Sequence, residues 1–133
     1  MIKTIIKKSS VPVYRTRLWI VVTTNLPKAI DELEDQLDHK IAGAEHRNSI
    51  RAYTYGFVDQ DGRAQVIIFI RPNSSPGEIA HETKHAVNII FQWHGVKLST
   101  TNDESECYYL ERLINKVHCA ILSHKKQFPR KVN

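Results

Sequence analysis

The sequence predicts an α+β domain: a small, mostly antiparallel sheet backed by helices. Three observations carry this. Apolar residues recur at helical spacing in three separate segments, two β-branched or alternating segments form a consecutive pair, and a further strand-like run precedes the first helix. The expected order is strand, helix, strand, strand, helix, helix.

The first strand is read over 15–24, Arg15 to Thr24, which is rich in β-branched and aromatic residues. Leu26, Ile30, Leu33, Leu37 and Ile41 then recur at spacings of three and four, predicting a helix from Asn25–Pro27 to near Gly43. Its other face holds Asp31, Glu32, Glu34, Asp35 and Asp38. Tyr53, Tyr55 and Phe57 alternate with small or polar residues, so Ala52 to Val58 reads as a half-buried strand. The turn Asp59 to Gly62 joins it to a nearly all-apolar strand, Ala64 to Ile70, as a hairpin. Ser75, Pro76 and Glu78 have the form of a helix start: an N-cap, a proline at the first position, and a glutamate to close a capping box. That helix runs to about Trp93 and stops at Gly95. A last helix opens at Thr101 to Glu104, carries an apolar stripe of Cys107, Leu110, Ile114, Val117 and Ile121, and fades near His124. Residues 125–133 are read as a basic flexible tail, and Trp19 and Trp93 as core anchors.

A chain of 133 residues with 41% hydrophobic and 25% charged residues suits one domain, 1–133, with a modest core. No stretch approaches the roughly 18 apolar residues of a membrane span, and Met1 to Ser10 lacks the apolar region of a signal peptide. A cytoplasmic location is the expectation. Cys107 and Cys119, in one helix, would lie about 18 Å apart along its axis, too far for a disulfide. They are read as free, mostly packed thiols. The net charge of +5 is uneven, with Lys125, Lys126, Arg130 and Lys131 crowding the C-terminus. Such basic ends invite contact with nucleic acid, or serve only as a solvated tail.

Chemistry concentrates in the five residues His81, Glu82, Thr83, Lys84 and His85. Four residues span slightly more than one turn and about 6 Å of rise, so both imidazoles project from one helix face. Two imidazole nitrogens can then meet one zinc ion at about 2.0–2.1 Å. Glu82 flanks the first histidine, where it can take a proton from a water at the ion. With seven His and eight Glu in the chain, the pattern arises by chance about 2% of the time, so its place inside a well-started helix matters. Without metal, the same histidines are ordinary helix residues.

A catalytic zinc takes three protein ligands and a water. His94 is about 13 Å of rise beyond His85, too far to share an ion. Phe91 stands where a three-histidine version of the motif needs its last ligand. Asp103, Glu104 and Glu106 open the next helix, which a short loop can bring back over His85.

The segment Ile79–Asn88 (IAHETKHAVN), then Gly95, then Asn102–Leu110 (NDESECYYL) resembles the gluzincin type of zinc metallopeptidase, in particular the small single-domain versions carried by phages and prophages. The resemblance covers residues 64 to 123. It implies a minimal zincin-like fold, a zinc cofactor and a polypeptide substrate lying extended along a sheet edge. It also implies a third ligand, a glutamate at the start of the helix after the motif helix, followed three residues later by a small residue. Glu104 with Cys107 fits that pattern better than Glu106 with Tyr109, although Cys107 stands where alanine is usual. Glu106 is the alternative. Against a ligand role, Thr101 and Glu104 can form a capping box, and Asp103 is either an N-cap or a hydrogen-bond acceptor for a ligand imidazole. Tyr108, Tyr109 and His94 are candidates to stabilise an oxyanion, and none is assigned.

The expected activity is zinc-dependent peptide-bond hydrolysis with His81, His85 and Glu104 on the metal and Glu82 as general base. Two rivals are a metal-binding regulatory or interaction module without catalysis, and a zincin associated with DNA through its basic ends.

Overall fold

The two most apolar strands are the two most buried. In the computed structural model, which describes residues 3–11, 14–41, 51–101 and 103–130, they lie side by side at the centre of a four-stranded sheet. The strands are β1 (Thr4–Ser10), β2 (Thr16–Thr23), β3 (Tyr53–Val58) and β4 (Ala64–Ile70), in the order β1-β2-β4-β3. β1 and β3 are antiparallel to their neighbours, but β2 and β4 are parallel, from Thr16↔Ala64 to Val22↔Ile70. The domain is therefore α+β with a mixed sheet, and the antiparallel expectation fails at its centre. The reason is burial on both faces: Leu18 to Val22 and Val66 to Ile70 are all buried, which suits an inner parallel pair.

Alternation sorts the side chains into two cores. Leu18, Ile20, Val22, Val66, Ile68 and Ile70 pack with helices α2 (Pro76–Trp93) and α3 (Glu104–Gln127). Trp19, Val21, Ile67 and Phe69 pack with helix α1 (Leu26–Leu37) on the opposite face. The result is three layers, with the sheet between α1 and the α2–α3 pair. Among the described residues, no helix is long and apolar enough to cross a membrane.

Several boundaries differ from expectation. β1 has no counterpart in the sequence reading, because Lys7 and Lys8 on an exposed edge break its apolar pattern. α1 ends at Leu37, where Asp38 turns left-handed at φ 49°, four residues short of Ile41. Ile41 is still buried, reached by non-helical chain, and its own N–H donates to Glu34 Oε2 at 2.9 Å. α3 continues through Lys125 and Lys126 to Gln127. Its buried stripe is Tyr109, Leu113, Val117, Ala120, Ile121 and His124, so Val117 and Ile121 are buried as expected, Leu110 and Ile114 are half-buried on its flank, and Cys107 lies outside it. Cys107 and Cys119 consequently lie exposed, as free thiols, and are not packed. Trp19 is a core residue, its indole N–H donating to Gln65 at 2.8 Å, whereas Trp93 is 38% exposed.

Candidate metal centre

α2 is specified locally at both ends. The Ser75 hydroxyl accepts from the Glu78 N–H, the Glu78 carboxylate accepts from the Ser75 N–H, and Pro76 opens the first turn. Gly95, at φ 69°, ends it. Between them Ile79, Thr83, Ala86, Val87, Ile90 and Phe91 face the core, and the intervening turns face outward.

His81 and His85 are exposed on the outward face of the first half of α2. Their Nε2 atoms are 3.1 Å apart, with the rings edge to face at 84°. At that distance one imidazole donates and the other accepts. A tetrahedral zinc at about 2.0–2.1 Å from each nitrogen would hold them about 3.3–3.4 Å apart, so the pair fits one ion with a shift of a few tenths of an ångström.

Glu82 turns the other way. It is buried, and the Thr54 hydroxyl of β3 lies 2.6 Å from its Oε2 and 3.0 Å from its carbonyl oxygen. The hydroxyl has one proton to donate, and the shorter carboxylate contact takes it. Thr54 is the residue that sequence reading missed. A signal existed: alternation sends Tyr53, Tyr55 and Phe57 toward α1 and so sends Thr54 toward α2. Beside this pair is an open cleft of about 450 Å³ lined by Arg51, Ala52, Gly77, Glu78, His81 and Glu82. Arg51 and Glu78 form an ion pair at its mouth.

The start of α3 meets α2 through an ion pair between Glu106 and Lys84. At 100° per residue, Glu104 lies about 200° around the helix from Glu106. The turn that directs Glu106 to α2 therefore directs Glu104 to solvent, where it is exposed. Among the described residues no three His, Cys, Asp or Glu side chains gather as a metal-binding group. The structure thus pairs His81 with His85, sets Glu82 against Thr54 in a cleft that His81 also lines, and leaves Glu104 apart.

The remaining site expectations resolve as follows. The Thr101–Glu104 capping box is not made: the Thr101 hydroxyl pairs with Ser99, and Asp103 caps α3 by position without a side-chain bond. Tyr109 is buried against Phe91 and Tyr14, and burial pushes its phenol well above the ordinary range. His94 Nδ1 bonds the Ile90 carbonyl at 2.7 Å, while Tyr108 is exposed.

In comparisons with known proteins, the chain matches no protein-family model, no curated protein and no solved structure.

Proposed function

We propose that this chain is a zinc-dependent peptide hydrolase centred on His81, Glu82 and His85. The observation that carries the reading is the 3.1 Å approach of two imidazole nitrogens on one helix face, with a buried carboxylate, oriented by its own hydrogen bond, in the cleft that His81 also lines. His81 and His85 would hold the ion, with a carboxylate from the first turn of α3 as third ligand. Resemblance favours Glu104 for that place, and the facing geometry favours Glu106.

A bound zinc supplies a Lewis acid and brings the pKa of its water toward about 7. The protein's own part falls to Glu82. Its carboxylate takes a proton from the attacking water and returns it to the leaving amine. Thr54 fixes the carboxylate's rotamer, so that one oxygen is tied and the other is left for the proton. β3 is an edge strand and pairs only with β4 among the described strands. An extended peptide adding to that edge would run beside the first half of α2.

A metal-binding module without catalysis is the second reading, favoured by Glu82 turning away from the face that carries His81 and His85. Turnover separates the two. Zinc-loaded protein is incubated with a denatured polypeptide, and fragments are read by mass spectrometry beside Glu82→Gln. Cleavage lost in Glu82→Gln with zinc retained supports hydrolysis. Equal cleavage by both proteins refutes the role of Glu82, and no cleavage by either favours the module.

A further inference from the structure

At the other end of the sheet the chain gathers positive charge around a second cavity. β2 and β4 start there, at Thr16 and Ala64, while α2 begins beyond the opposite end of β4. Six residue steps of a strand separate the two ends, about 20 Å. The cavity measures about 660 Å³, and Arg15, Arg17 and Arg63 line it with Tyr14, Thr16 and Asp61. The three arginines come from the approach to β2, from β2 itself and from the turn before β4.

Three guanidiniums against one carboxylate leave the rim at a net charge of +2. None of the three forms an ion pair with a carboxylate among the described residues. The other acid of the turn, Asp59, does not line the cavity, and its charge offsets part of that of Arg63. Its carboxylate accepts from the Arg63 and Asp61 backbone N–H groups at 2.8 and 3.0 Å and from Gln65 Nε2 at 2.8 Å. Those bonds hold it below the ordinary carboxylate range. Like charges repel, so three guanidiniums gathered on one rim with a surplus of positive charge call for an anion.

We propose that this cavity binds a small molecule carrying two or more phosphate groups. Guanidinium pairs with phosphate in a planar, two-bond geometry, which is the chemistry three clustered arginines offer. The volume lies within the roughly 300–1,000 Å³ of small-molecule sites, and a concave site suits a compact ligand better than a polymer backbone. This site is independent of the histidine pair.

The test is isothermal titration of the whole chain, in low-salt buffer free of phosphate, with pyrophosphate, with ATP and with a thymidine oligonucleotide. Pyrophosphate should bind one to one. Arg17→Gln and Arg63→Gln should each weaken it about tenfold, the share of one charge-assisted bond. Lys28→Gln, on α1, removes the same charge and should leave binding unchanged. ATP binding equal to pyrophosphate marks recognition of phosphate alone, and tighter ATP binding marks a nucleotide. Either outcome upholds the site. No saturable binding, equal weakening by Lys28→Gln, or binding of the oligonucleotide alone would overturn it. Arg63 is exposed, so its variant keeps the test decisive if Arg17→Gln fails to fold.

Discussion

Thr54→Val isolates the bond that orients Glu82. The substitution keeps the β-branch and removes the hydroxyl, which lies 2.6 Å from a carboxylate that is 7% exposed. A hydrogen bond to a charged group contributes about 1.5–3 kcal/mol, and little of that is screened at a site this buried. Unfolding entropy of about 2.1 cal/mol/K per residue gives about 280 cal/mol/K for a chain of 133 residues. Thr54→Val should therefore lower Tm by about 5–11 °C in calorimetry of metal-free protein. In a Glu82→Gln background the acceptor is neutral and the bond contributes about 0.5–1.5 kcal/mol, so the same change should lower Tm by about 2–5 °C. If the loss in the wild-type background is under about 2 °C, or equals the loss beside Glu82→Gln, Thr54 does not hold the carboxylate.

Glu82→Gln should keep bound zinc and lower turnover by about 10²–10⁴-fold, which metal analysis and peptide cleavage read separately. Gly56→Ala should destabilise by about 1–3 kcal/mol in urea unfolding. A Cβ there would sit 2.7 Å from Trp93 Cη2 and 2.8 Å from Ile89 Cγ2, and adding Trp93→Leu should restore part of the loss. Tyr109 carries a pH dependence. Burial raises its phenol above the ordinary value of 10, so folding favours the protonated form. Its contribution is fully present below pH 10 and is lost as pH rises beyond it, so Tyr109→Phe should flatten the alkaline fall in Tm.

What the sequence revealed follows from how local each cause is. The Ser75–Glu78 capping box and Gly95 lie within α2's own ends, so that helix is readable without the rest of the chain. The Ala64 to Ile70 run has no rival to a buried strand and is found unchanged as β4. β1 escaped because an edge strand with Lys7 and Lys8 is defined by its pairing with β2, a tertiary event. Ile41 misled the end of α1, since a residue in helical register can reach the core from chain that has left the helix. The α3 stripe was misplaced because Cys107, Leu110 and Ile114 keep helical spacing on a flank, while Tyr109 and Leu113 carry the packing. Within the candidate centre, i and i+4 spacing fixes the relation of His81 to His85 before any fold is known. The third ligand has no such rule: spacing brings a helix start near, and only side-chain direction separates Glu104 from Glu106. Alternation along β3 gives the face on which Thr54 lies, but its meeting with Glu82, like that of Arg17 with Arg63, depends on tertiary packing and has no local signature.

The zinc content of the purified chain, by elemental mass spectrometry after reconstitution and dialysis, tests the central claim most directly. Wild type should carry about one zinc per chain, His81→Ala and His85→Ala should carry none, and one of Glu104→Ala and Glu106→Ala should lose the ion while the other retains it. Wild type without zinc after reconstitution, or zinc retained in both histidine variants, would contradict the account and leave His81 and His85 as a hydrogen-bonded pair on a helix surface.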